Sequence, residues 1–511
     1  MLYIDGNHLK IADIFRVAKE GEKVAISESG IKAINDSHTR LEKIFQSGKP
    51  VYGINTGFGI FADQKIARED SARLSRNLIL SHAVGTGEPF QEAVVRAAML
   101  VRANTLTKGN SGVRLEIVQT LIDMLNKGVT PIVPSQGSLG SSGDLGPLSH
   151  LALVFTTDDD DLESESGYAL FEGKVMPGKN AMQKAGISRL ILGPKEGLAI
   201  NNGATFSAAL AALILQDTFI LLDVAEIGVS LCLEALLGCS NAFDSRLHEA
   251  RGQLGQIEVA ENIRNLIDGS EMVDASGKVQ DAYSLRCSPQ VHGIARDTTN
   301  FVSNIIEKEI NASTDNPLIF ENGDAVSGGN FHGEPIGVAM DFLGIVLAEL
   351  GAISERRIFR LTDGNLNAGL PPMLVDRPES AGLNSGLMMP QYTAASLVLE
   401  NQTLAHPDSV HSLPTSGEQE DHNANSMTAT RHTKMILDNT RHVLAVELYT
   451  AARAIDLRLR QNETFSLGKG TSKAYKIIRE HVPYQAGDAW WGPEIDTVRE
   501  LIMDNSFKNV L

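Results

Sequence analysis

Between Pro194 and Pro289 the chain runs without a proline. Inside that interval, "ATFSAALAALILQDTFILLDVAEIGVSLCLEALLG", from Ala204 to Gly238, would be apolar on nearly every face of a helix. A helix of that kind must be buried almost all round. Asp217, Asp223, Glu226 and Glu234 interrupt the tract. No run then reaches the ~18 apolar residues of a membrane span, and the expectation is a core helix without a membrane. Two further long helical patterns follow: "FHGEPIGVAMDFLGIVLAELGAISERRIFRL" from Phe331 and "MILDNTRHVLAVELYTAARAIDLRLR" from Met435. Strand-like alternation is short and scarce, and Gly/Pro-rich text clusters before residue 200 and around 363 to 390. The expected class is all-α. Shorter helices and loops would form an N-terminal domain (1–200), followed by a long-helix bundle and C-terminal helical region (201–511). Helices this apolar also ask for burial against other subunits.

Charge narrows the function classes. The net charge of −18 argues against nucleic acid as a partner. Cys232, Cys239 and Cys287 are too few for a disulfide framework and fit reduced thiols in a cytoplasmic protein. The N-terminal "MLYIDGNHLKIADIF" has no apolar signal core. No HExxH, CxxC or paired Cys/His spacing occurs, so no protein-built metal site is expected. "GFGIFA" and "GTGEPF" begin like nucleotide loops but do not finish, and no nucleotide is expected either. The acidic run Asp158 to Ser166 lacks the ligand spacing of a calcium loop and reads as a solvated surface insertion.

One loop carries chemistry. "GSLGSSGDLGPLSH" places glycine at 137, 140, 143 and 146, with serines between. A phosphate cradle would use backbone N–H groups, but the loop has no lysine and Asp144 would repel the anion. A plain turn is the second reading. The third is chemical. In Ser141-Ser142-Gly143 the unhindered glycine nitrogen can be pressed onto the Ser141 carbonyl carbon. Closure and loss of water give an imidazolone, and loss of a second water from Ser142 leaves an exocyclic methylene. Glycine permits the approach and serine supplies the eliminated hydroxyl. Pro147 suits the first turn of a helix starting directly after the loop, with its positive end toward the ring.

The loop resembles the signature of the aromatic amino acid ammonia-lyases, whose prosthetic group is 4-methylidene-imidazol-5-one (MIO). "YGINTGFG" (52–59), "EGLAINNG" (196–203), "QDAYSLRCSPQ" (280–290), "STDNPL" (313–318), "SGGNFHGEP" (327–335) and "QEDH" (419–422) occur in the family's order. The resemblance implies an aspartase/fumarase-like helical fold and a homotetramer in which three chains build each active site. It implies MIO formed from Ser141, Ser142 and Gly143, with Tyr52 as the base for the β-proton. It also implies Arg286 as the carboxylate clamp, and Tyr283 in proton transfer or contact with the ring. Asn202 and Gln280 would bond the ring or the substrate's polar end, and Phe331 would pack beside the substrate.

Eliminating ammonia requires removing a weakly acidic β-proton and expelling a poor leaving group, so an electrophile, a base and a carboxylate clamp are all needed. "ILSHAVG" puts Ser81-His82 where histidine-specific members carry Ser-His. His82 and Glu420 are polar groups able to pair with both imidazole nitrogens, and Glu420 has a second possible role in proton transfer. Departures from the pattern are Ser141 for alanine, Ala282 for proline, Ser288 and His292 within "CSPQVHG", and Glu418 for a neutral residue. The leading expectation is conversion of L-histidine to urocanate and ammonia. An aminomutase or a lyase for another aromatic amino acid, and a non-catalytic helical scaffold, are the alternatives.

Overall fold

The computed structural model describes residues 1–48, 51–57, 64 and 66–511. The fold is helical. Four helices dominate: Thr205–Ala235, Ser288–Glu309, Glu334–Thr362 and Ser426–Gln461, of 31, 22, 29 and 36 residues. Strands among the described residues are two to four residues long and form sheets of two or three strands.

Two compact units emerge, each discontinuous in sequence. The first comprises residues 1–216, 302–341 and 407–431, and the second residues 217–301, 342–406 and 432–511. The sequence boundary at 200/201 marks a change in helix length and is a different kind of division.

In the first unit the Glu92–Thr107 helix is buried along nearly its whole length. It spends its two arginines on the C-terminal ends of other helices. Arg96 donates to the carbonyls of Val17, Ala18 and Leu125, closing the ends of Ile11–Lys19 and Leu115–Lys127. Arg102 does the same for Glu196–Asn201, through the carbonyls of Ala199 and Asn202. A cation suits a helix C-terminus because unpaired carbonyls and the negative end of the dipole meet there.

The acidic run is only partly a solvated insertion. Asp159, Asp160 and Leu162 are exposed. Asp158 and Asp161, however, neutralise the buried guanidiniums of Arg76 and Arg189. A buried cation without such a partner would be costly.

The second unit is held by buried polar pairs. Arg357 and Glu447 are fully buried and ion-paired, and Cys232 Sγ donates to Glu447 at 3.4 Å. Gly228 makes room for that carboxylate; a Cβ there would lie 3.0 Å from Glu447 Oε2. By length and composition Thr205–Ala235 and Glu334–Thr362 are apolar enough to cross a membrane, which corrects the sequence expectation. Their most apolar windows are 72% and 67% buried within the protein, as in core helices.

Glu234, one of the acids interrupting the apolar tract, accepts from Gly468 N at 2.7 Å and Thr471 Oγ1 at 3.0 Å. Its Oε2 is buried without a partner. Burial pushes this carboxyl up to about 7, against the hydrogen bonds that favour the anion. Because the folded state holds the proton more tightly, the stabilisation is complete below the unfolded value near 4.5 and lost as pH rises through about 7. Denaturant titrations at pH 5 and pH 8 should therefore show wild type losing up to about 3 kcal/mol more than Glu234→Gln over that interval. Equal losses would mean that Glu234 does not carry the proton.

Candidate active site

The glycine loop takes its shape from close backbone contact. Gly137, Gly140 and Gly143 have φ of +115°, +67° and +85°, a region that favours glycine. A Cβ at Gly143 would overlap the backbone of Gly203, and one at Gly140 would overlap Ser426 Oγ. Gly143 and Gly203 form a parallel bridge. Asp144 N donates to Gly203 O at 2.9 Å, and Gly203 N donates to Ser142 O at 3.3 Å. Asn202 Nδ2 donates to the same Ser142 carbonyl at 2.6 Å. Asn202 Oδ1 is buried without a partner.

Ser141 Oγ accepts from Ala424 N at 3.0 Å and donates to Leu139 O at 3.4 Å. The hydroxyl that replaces a methyl group in the usual pattern therefore has a seat of its own. Asp144 is fully buried, and its carboxylate accepts from Ser138 Oγ, Ser207 N and Ser207 Oγ at 2.8, 2.8 and 3.0 Å. Burial pushes its carboxyl up, while these donors pull it down. The Leu145–Phe155 helix starts at once after Asp144, with Pro147 in its first turn. Proline costs nothing there, because the first N–H groups have no helical acceptor.

Ser142 faces a cavity of about 990 Å³. Tyr52, His82, Asn202, Phe331 and Glu420 line the same cavity. Tyr52 projects from a turn closed by Val51 N donating to Asn55 Oδ1 at 2.7 Å and by Gly53 N donating to Thr56 Oγ1 at 3.2 Å. Gly53, at φ +67°, seats that turn against Leu198, 2.8 Å from where a Cβ would stand. Phe58 and Gly59 of the same motif lie outside the described residues.

His82 ends the Ser71–His82 helix, with Ser81 Oγ 3.0 Å from its Nδ1. Burial holds this imidazole below its ordinary range, although the Leu78 backbone and the Glu420 charge pull the other way. Glu420 closes a tight loop with Thr415: Thr415 N donates to Glu420 O at 2.8 Å. Ser416 and Glu418 turn that loop at φ +51° and +64°.

Sequence reasoning missed part of the lining. Leu74, Asn77 and Leu78 share the wall with Ser81 and His82, and Gln64, Ser416 and Gln419 join them. The helical members were findable: 74, 77, 78, 81 and 82 follow the spacing of one helix face.

Gln280, Tyr283 and Arg286 belong to the second unit and are not among the cavity's described lining residues. Gln280 and Tyr283 are exposed. The Tyr283–Arg286 segment is one helical turn, and the Arg286 guanidinium lies 4.7 Å over the Tyr283 ring. Arg286 Nε is buried with no partner. Ala282 caps this turn at φ −66°, the value proline would impose, so the departure from proline leaves the turn intact. Arg357 Nη1 donates to Ser284 O at 3.2 Å within the same unit. His292 is fully buried, and burial, reinforced by the neighbouring Arg357 charge, holds it well below its ordinary range.

A family model described as aromatic amino acid lyase matches residues 9–480. The chain is 48% identical over 504 residues to the histidine ammonia-lyase of Treponema denticola, covering 98% of this chain and 96% of that one. The crystal structure of histidine ammonia-lyase from Trypanosoma cruzi matches with a TM-score of 0.90 at 35% identity, covering 100% of this chain and 94% of that one. A tyrosine aminomutase from Streptomyces globisporus matches with a TM-score of 0.92 at 34% identity, covering 100% and 98%. With its signature motifs in order and its whole length matched, the chain belongs to the aromatic amino acid lyase family.

Proposed function

We propose that this chain is a cytoplasmic lyase that eliminates ammonia from L-histidine to give trans-urocanate, using MIO formed from Ser141, Ser142 and Gly143. The observation that carries this reading is that His82 and Glu420 stand on the wall of the cavity that Ser142 and Tyr52 also line. Full-length similarity to histidine ammonia-lyases supports it. The residues present fit the prosthetic group. Gly143 has the left-handed backbone that only glycine adopts cheaply and no room for a Cβ, while Asn202 keeps an unpartnered buried oxygen beside the loop. MIO supplies an electrophilic carbon that turns the substrate amine into a better leaving group.

The chain's own residues do the rest. Asn202 Nδ2 and Gly203 N both point at the Ser142 carbonyl oxygen, where they stabilise negative charge without reorganising. Tyr52 takes the β-proton of the substrate. Ser81 engages His82 Nδ1, and Nε2 serves one substrate imidazole nitrogen while Glu420 serves the other. The burial that keeps His82 neutral also lets it act as acceptor or donor there. Phe331 packs against the substrate ring. Arg286 clamps the carboxylate as a bidentate donor. Tyr283, stacked on it, assists proton transfer, and Gln280 bonds the substrate's polar end. In this reading these three residues reach the cavity from another subunit of a homotetramer with shared sites.

Incubation with L-histidine while following the conjugated product and released ammonia tests the activity. A β-amino acid product would favour the aminomutase outcome, and neither product would sink the reading. Selectivity is tested separately. His82→Leu is expected to lower kcat/KM for histidine at least about tenfold, the loss of one modest hydrogen bond. Wild type turning over phenylalanine as well as histidine would show the pocket to be wrongly assigned.

A further inference from the structure

Arg102 is fully buried, yet its hydrogen bonds run to neutral oxygens: the carbonyls of Ala199 at 3.3 Å and Asn202 at 2.7 Å, and the hydroxyl of Thr205. Its Nε has no partner. Burial pulls the guanidinium down to about 10, while Asp315, Asp144 and Glu309 favour its charge. For stability alone a buried cation is a poor choice, since an apolar side chain of similar volume is often neutral or better. What sets this arginine apart is the segment it holds. Between the end of Glu196–Asn201 and the start of Thr205–Ala235 lie Asn202, Gly203 and Ala204. Asn202 and Gly203 are the residues that grip Ser142 and Gly143.

We propose that Arg102 is a positioning residue for maturation: by fixing both ends of the 199–205 segment, it holds the Asn202-Gly203 clamp that compresses Ser141-Ser142-Gly143 into a ring. The inference rests on the MIO reading above. Closure joins the Gly143 nitrogen to the Ser141 carbonyl carbon. That carbonyl oxygen leaves as water with the amide protons of Gly143 and Ser142, and a C=N bond forms. The Ser142 Oγ leaves as a second water with one proton on Oγ and one from Cα, and the exocyclic C=C bond forms. No oxidant or co-reactant is needed. Arg102 makes no bond to the reacting atoms. Its contribution is alignment, where a displacement of about 1 Å can cost about a hundredfold in rate.

The Glu92–Thr107 helix supplies an internal control. Arg96 is likewise buried and likewise bonded to helix-terminal carbonyls, but its partners are Val17, Ala18 and Leu125. The full chain is made by cell-free synthesis, and quenched aliquots are weighed by intact mass as wild type, Arg102→Lys, Arg102→Met, Thr205→Val and Arg96→Met. Folding of each is checked by cooperative thermal unfolding. The expected result is that folded Arg102 variants lose the two waters between about tenfold and a hundredfold more slowly than wild type. Thr205→Val should be slowed less, and folded Arg96→Met should keep the wild-type rate. Two-water loss at the wild-type rate in the folded Arg102 variants overturns the proposal, as does equal slowing in Arg96→Met. If the Arg102 chains do not fold, Thr205→Val decides: slowing supports the role and a wild-type rate overturns it. Wild type that never loses two waters would instead remove the MIO reading itself, an outcome distinct from normal maturation in the variants.

Discussion

Ser142→Ala is expected to abolish turnover almost completely, by at least about a thousandfold in kcat or ~4 kcal/mol in the barrier. The Ser142 Oγ is the group whose loss would create the methylene, and alanine has nothing to eliminate. The substitution leaves the structural contacts in place. Asn202 and Gly203 both bond the Ser142 carbonyl, which alanine retains. Stability should therefore stay within about 0.5 kcal/mol of wild type, as for a substitution that removes no cap, core volume or buried bond. Intact mass separates the possibilities. Mature wild type should weigh two waters less than its sequence, and the variant should lack at least the second loss. A folded Ser142→Ala that still sheds two waters would transfer the role to Ser141. The bonds of Ser141 Oγ to Ala424 N and Leu139 O argue for a seated substituent instead.

Tyr52→Phe should lower kcat by about 10²- to 10⁴-fold, the usual worth of a positioned acid–base group. KM should change little, because the aromatic ring stays on the cavity wall. Arg286→Ala should fail for a different reason, the loss of the proposed carboxylate clamp. Tyr52 and Arg286 lie in different compact units of the chain. In a tetramer whose sites are shared, the two inactive chains complement one another. Co-expression should then yield mixed tetramers in which some sites hold an intact Tyr52 and an intact Arg286. Measurable activity in verified mixed tetramers supports shared sites; its absence, or an active monomer, counts against them.

Much of this was legible in the sequence, for identifiable reasons. The proline-free interval after Pro194 foretold the long helix Thr205–Ala235, because nothing in it breaks hydrogen bonding. The glycines of the loop were legible because close backbone approach and positive φ exclude other residues. His82 and Glu420 are far apart in sequence yet line one cavity, and only the family's motifs could pair them beforehand. Other features depend on partners that no local pattern announces. Asp158 and Asp161 look like surface acids until Arg76 and Arg189 are found buried beside them. Arg102 looks like an ordinary polar position on a helix until Ala199, Asn202 and Thr205 meet it. Gln64 carries no motif, and only the shape of the cavity brings it to the wall.

The bridge between Gly143 and Gly203 has a consequence for how such a protein lives in a cell. It joins two glycines brought together only by completed folding, since neither holds the other in an extended chain. A newly made polypeptide that has not yet folded carries two plain serines and a glycine, and is harmless to surrounding amines and thiols. On the proposed maturation, the reactive carbon would come into being only inside a walled cavity, after the chain has passed its own structural inspection. Counting chains that have lost two waters would then count molecules that have folded correctly at least once, a permanent mark of quality control written into the backbone.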